Sequence, residues 1–183
     1  TVLVQMMTAP FVHKRYRDTK DRPFESYFQT NKPTFILVEW ELDAKEGYVL
    51  TGMMVRKNQN VSELQNPEKL EIIQFISYYR ENCELYHFPV IDKKEDHMTL
   101  KGFVQCKKLF ENYKKEFPTE FFAYDMSQPA RTRQYFDQLH QYGIHYKEWE
   151  GIIKKINLKE SGLSELFADC KEEKGLVEKW FLD

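Results

Sequence analysis

The residues best able to do chemistry stand close together near the start of the chain. His13-Lys14-Arg15-Tyr16-Arg17-Asp18-Thr19-Lys20-Asp21-Arg22 carries five Lys/Arg in ten positions, the densest positive cluster in the sequence. Two readings apply to it: a solvated loop, or a loop contacting the phosphate of a nucleotide or of DNA. Glu39 and Glu41, two apart on a strand, share a face and can bind a metal ion, although such pairs more often form a solvent-facing stripe. Glu71, Asp92, Glu95 and Asp96 read as charge at loops and strand ends. The five histidines never stand at the spacing of a helical metal motif, and the three cysteines, Cys83, Cys106 and Cys170, are far apart and lack a CxxC or Cys/His cluster. Reduced thiols in a cytoplasmic protein are the expectation. GxSxG, HExxH, GxGxxG and a complete GxxxxGK[ST] are absent, so this polypeptide by itself is not expected to turn over a substrate.

A formal net charge of −2 on 183 residues gives no global basicity, so contact with nucleic acid requires a local patch. No apolar run approaches the length of a membrane span, and no secretory signal pattern is present. The aromatic share of 15% suits large side chains filling a core and covering a sheet.

The elements that must position the cluster are organised around Pro33–Lys57, PTFILVEWELDAKEGYVLTGMMVRK. Phe35–Leu42 and Tyr48–Val55 are rich in β-branched and aromatic residues, and Asp43-Ala44-Lys45-Glu46-Gly47 between them carries turn formers and a glycine able to take positive φ. An antiparallel hairpin follows. Ile36, Val38, Trp40 and Leu42 form one wholly apolar face, and both faces of the second run are largely apolar, so layers must cover the hairpin on two sides.

Before the hairpin, Thr1–Thr8 has the pattern of a buried helix that Pro10 ends, and Phe24–Phe28 adds a short helical turn. After it come a polar loop over Asn58–Lys69 and a strand over Leu70–Tyr79, where imperfect periodicity leaves a helix open. A short fourth strand carrying Pro89 follows over Leu85–Ile91. Thr99–Glu116 reads as an amphipathic helix and Thr119–Tyr124 as a strand. Ser127 caps a helix from about Pro129 that stops at Gly143. Trp149, Ile152, Ile153 and Ile156 mark a further helix, Ser161 caps another, and 173–183 begins a last one. The expectation is an α/β (mixed α+β) chain, β-rich first and helical later.

Two stretches combine into a family likeness. The opening TVLVQMMTAPFVHKRYR resembles the helix and loop behind the P-loop in the SMC-like branch of ABC ATPases. PTFILVEWELDAKEGYVLTGMMVRK is similar to the early hairpin of SbcC-like and MukB-like coiled-coil ATPases of bacteria, including those of Wadjet-type plasmid defence. The stretch from Tyr135 to Asp183, with Asn157, Glu160, Gly162 and Leu163, resembles the segment where the N-terminal lobe hands over to the coiled coil. The resemblance implies a mixed sheet in a single partial domain over 1–183. Residues 1–10 would be the helix after a P-loop, 33–57 the hairpin and 173–183 the start of the coiled-coil neck. It implies ATP and Mg2+ as cofactors, with Thr1 at the magnesium-contacting hydroxyl of GK[ST]. His13, Lys14, Arg15 and Arg17 would be phosphate or nucleic-acid contacts, and Asn157 would stand near the Q-loop position, where glutamine is missing. DNA, a second ATPase head and accessory subunits would be partners, in chromosome maintenance or defence against foreign DNA. The opening without methionine and the unstopped helical pattern at GLVEKWFLD suit a piece of a longer polypeptide. The alternative from another class is a non-catalytic α+β module that holds nucleic acid or a protein through the basic loop 13–22.

Overall fold

A computed structural model describes residues 2–18, 22–59, 69–81 and 90–158. The expected hairpin forms β1 (Thr34–Glu41) and β2 (Tyr48–Lys57), paired antiparallel from Thr34↔Val55 to Glu41↔Tyr48. Its turn closes through the Leu42 amide on the Gly47 carbonyl, 2.9 Å, with Gly47 at φ 115°. A Cβ on Gly47 would lie 2.6 Å from the Tyr79 carbonyl oxygen, so glycine is required there for conformation and for space.

Leu70–Tyr79 is strand β3, which settles the helix alternative: buried β2 on one side and β6 (Phe121–Asp125) on the other both pair with it. The sheet runs β1-β2-β3-β6 and every pair in it is antiparallel, so the chain is mixed α+β, whereas the resemblance implies a mixed sheet.

The sheet is covered on both faces. On one, Leu50, Met54, Ile73, Phe75, Phe121 and Ala123 pack on Phe103, Cys106 and Phe110 of helix α2 (Phe103–Glu116). Gly52 lies beneath the Phe75 ring, where an added Cβ would come within 2.1 Å of the ring edge. On the other face Val49, Met53, Val55 and Ile76 meet three helical pieces and the loops joining them. These are α1 (Val2–Thr8), running into a 3-10 turn at Ala9–Phe11, α3 (Pro129–Gln141) and α4 (Tyr146–Leu158). Full burial of Val49, Leu50, Met53, Met54 and Val55 along β2 explains why that run shows no polar face.

Several boundaries differ from expectation. Helix α1 ends at Thr8, and it is buried only on its Gln5–Thr8 side, because Val2, Leu3 and Met7 are exposed. The helix expected from Thr99 begins at Phe103. Thr99 and Leu100 instead belong to β5 (His97–Leu100), paired with β4 (Ile91–Lys94) across the Glu95-Asp96 turn. The N-cap of α3 is Gln128 rather than Ser127, whose amide is taken by Asp125 Oδ1 at 3.0 Å. Of the strand expected over Leu85–Ile91, residues 85–89 lie outside the described residues, as do the helices expected from Ser161 and over 173–183.

Gly143, at φ 76°, does end α3. Its amide bonds the His140 carbonyl, and the Ile144 amide bonds the Leu139 carbonyl, which reverses the chain into α4. Leu139 and Ile144 are both buried in the same cluster, so the reversal is tied into the core.

Candidate functional site

The basic cluster sits on a 3-10 turn, Lys14–Tyr16, between α1 and the short turn at Phe24–Tyr27. Its members divide sharply. Arg17 is 4% exposed, and its guanidinium faces inward: Nε donates to the Ala9 carbonyl (3.2 Å), and Nη2 donates to the Val12 carbonyl (3.4 Å) and to Gln74 Oε1 (3.0 Å). Gln74, fully buried on β3, donates onward from Nε2 to the Pro10 carbonyl (2.8 Å), which also accepts the Tyr135 hydroxyl. From α1, Gln5 Nε2 donates to the carbonyls of Arg17 (2.6 Å) and Arg22 (3.1 Å).

The physical reason is the backbone. Ala9–Arg17 forms short 3-10 turns, whose carbonyls have few partners within the segment, and buried carbonyls without donors are costly. An arginine brings five donors in a rigid fork, so one side chain can serve several of them. The expectation that Arg17 contacts phosphate is therefore corrected: its charge is spent on the protein's own backbone. Tyr135 is held far above the ordinary phenol range by burial, with the nearby Arg17 charge only partly opposing that effect, and so it serves as a neutral donor.

His13 is also fastened. Its Nδ1 lies 2.7 Å from Glu150 Oε1, the same oxygen accepts the His13 amide at 3.1 Å, and the ring stacks on Phe136 with centroids 4.0 Å apart. Glu150, 6% exposed on α4, thus anchors the entry to the turn. Nothing in the spacing of 137 residues advertises the pair. Lys14 and Arg15 are exposed, Arg15 with its guanidinium carbon 4.9 Å from the Tyr16 ring centroid. Among the four, these two are the exposed ones. Residues 19–21 and Thr1 lie outside the described residues, and of Asn157 only the backbone is described, inside α4.

Three of the carboxylates singled out in the sequence, Glu39 of the strand pair and Glu71 and Asp92 among the loop and strand-end charges, are engaged. Glu39 accepts the Tyr79 hydroxyl, Glu71 pairs with Arg56, and Asp92 pairs with Lys101 at 2.7 Å. Among the described residues no group of three His, Cys, Asp or Glu converges as a metal site. Cys106 is a free, buried thiol pushed up to about 11 by burial, an effect that Lys101 offsets in part, so it is a poor nucleophile.

A cleft of about 880 Å³ opens beside the start of α2, lined by Lys32, Arg56, Leu100, Lys101, Phe103 and Val104. Arg56 lies over the Phe103 ring at 4.1 Å while pairing with Glu71, and Lys101 is held by Asp92, so carboxylates already balance two of its cations. No helix among the described residues is long and apolar enough to cross a membrane.

Comparison with protein-family models, with curated proteins and with solved structures finds no match to this chain.

Proposed function

We propose that this chain is the N-terminal lobe of an SMC-like, ATP-hydrolysing head that acts on DNA. The observation that carries the reading is the two-sidedness of α1. Its inner side packs toward β1 and the 3-10 turn, while Val2, Leu3 and Met7 present apolar side chains outward at 38%, 68% and 50% exposure. Exposed apolar side chains on a helix whose opposite side already buries Gln5 and Thr8 suit a place between two layers. In this reading the outer layer is the nucleotide-binding part of the head, and Thr1 contributes its hydroxyl to Mg2+ beside ATP. The lobe does not hydrolyse ATP alone, because signature and Walker B motifs come from elsewhere in the parent protein and from a second head. Lys14 and Arg15 are the outward cations for DNA phosphate, and Arg17 acts by holding their turn in place. The cytoplasm, accessory subunits and a role in chromosome maintenance or plasmid defence belong to the same reading.

The deciding experiment is to read the coding sequence directly upstream of Thr1. A GxxxxGK ending at the preceding residue, together with loss of ATPase activity on Thr1→Ala in the full-length protein, is the expected result. Absence of the P-loop lysine overturns the reading.

The outward placement of Lys14 and Arg15 on one turn also favours a second reading, a non-catalytic nucleic-acid-binding module. It expects the 183-residue chain to bind duplex DNA with steep salt dependence, and to lose that binding in Lys14→Glu/Arg15→Glu. Salt-insensitive binding, or none, removes it.

A further inference from the structure

The reversal at Gly143 brings together two histidines that neither reading above uses. His140 stands in the last turn of α3 and His145 just before α4, and their Nδ1 atoms lie 2.8 Å apart. The ring centroids are only 4.4 Å apart and the planes are inclined at 73°. At 2.8 Å the two Nδ1 atoms share one proton as a hydrogen bond whose donor depends on the tautomer, and a metal ion bound between them would take that proton's place.

That geometry is set by the fold rather than by the histidines. The Gly143 and Ile144 amides bond the carbonyls of His140 and Leu139, Leu139 and Ile144 are buried in the core, and Tyr142 stacks on Tyr78 of β3 at 6.0 Å. Both backbones that carry the imidazoles are therefore held before any ligand arrives, and little ordering is left to oppose binding. His140 is exposed and His145 half-buried, so the pair is reachable from solvent.

We propose that His140 and His145 form a two-nitrogen chelate for a divalent transition-metal ion of tetragonal preference, Cu2+ before Ni2+. With metal–nitrogen bonds of about 2.0–2.1 Å, two cis ligands at a right angle sit about 2.9 Å apart, whereas a tetrahedral angle spreads them to about 3.3 Å. The observed 2.8 Å matches the first. Each imidazole binds as the neutral tautomer with its proton on Nε2, leaving Nδ1 free to coordinate. Solvent completes the coordination, as no third described side chain joins the pair.

The test is titration of the purified, tag-free chain with Cu2+, followed by electron paramagnetic resonance. One equivalent should give a tetragonal signal with hyperfine splitting from two imidazole nitrogens. His140→Ala and His145→Ala should each weaken binding by at least about tenfold, since loss even of a partner outside the coordination sphere costs that much. His97→Ala, at an exposed strand position, should change nothing. Circular dichroism of the variants verifies that they fold. An unchanged spectrum and affinity in both variants, absence of binding, or tighter binding of Zn2+ than of Cu2+ overturns the proposal. None of these outcomes bears on the ATPase reading.

Discussion

The two faces of the sheet are built on different principles. The α2 face is dry: Leu50, Met54, Ile73, Phe75, Phe103, Phe110 and Phe121 meet with no buried polar side chain, among the described residues, other than the Cys106 thiol. The opposite face carries the six buried polar residues found among those described, Gln5, Thr8, Arg17, Thr51, Gln74 and Glu150. The dry face is held by apolar area, which is strong but nondirectional. The polar face buries apolar clusters of its own and adds hydrogen bonds, which specify position because each needs a particular atom opposite it. The difference teaches why the basic turn lies on the polar side. A segment without regular secondary structure can be placed reproducibly only where its own carbonyls are met by donors.

The comparison breaks most visibly on the dry face. Phe110 is 2% exposed and touches the rings of Phe75 and Phe121, at 4.8 and 5.6 Å. Phe110→Ala should cost about 3–5 kcal/mol, from lost transfer energy and the cavity left behind. The midpoint of urea unfolding measures it, with amide exchange accelerating across α2 and little local change at residues 13–17.

Arg17→Met should cost about 2–4 kcal/mol, because Gln74 and the Ala9 and Val12 carbonyls lose a buried donor. The signature differs from that of Phe110→Ala: exchange should quicken locally at residues 13–17. Combining Arg17→Met with Gln74→Leu should cost less than the sum of the single changes, since the pair removes donor and acceptor together. Strict additivity would show that the network is not one unit.

At the edge of the sheet, Asp125 ties β6 to both layers. Burial alone would raise its pKa, but hydrogen bonds from the Ser127 amide and side chain, with Lys107 at 3.4 Å, hold it below the ordinary carboxylate range. A depressed folded-state value stabilises the protein above the unfolded pKa, and that stability is lost as pH falls through the folded one. The side chain is 37% exposed, so solvent screening keeps the effect to a few tenths of a kcal/mol. Asp125→Asn should lower the neutral part of the stability curve by those few tenths of a kcal/mol and rejoin the parent curve in acid, which flattens the limb below about pH 4. An unaltered acid limb refutes the assignment.

The same contrast explains what could be read from residue order. The hairpin was legible because strand alternation and a turn glycine are local signals, and the stop at Gly143 because the left-handed position it fills is local too. Arg17 was not legible as a structural residue: its acceptors include Gln74, 57 positions away, and a buried arginine in a basic run looks like its exposed neighbours. His140 and His145 fit no helical metal spacing, since the glycine between them makes a reversal rather than another turn. That glycine was the available signal. Thr99 and Leu100 extended a helical pattern that pairing with Ile91 and Asp92 overrode.

One further effect has the opposite sign. Tyr27 packs beside Phe24, Phe28, Met53 and Val55 on the polar side of the sheet, yet its hydroxyl is buried without a hydrogen-bond partner. If directional bonding governs that face, this oxygen is a defect in it, carrying a desolvation cost that no acceptor returns. Tyr27→Phe removes the oxygen and leaves the ring, so it should stabilise the chain by about 0.5–1 kcal/mol, or leave it unchanged once the small void is counted. The urea midpoint should therefore rise or stay still without a change in m. A fall of about 1 kcal/mol or more would mean that the hydroxyl does hold a partner, and that the polar face is more fully bonded than its described contacts indicate.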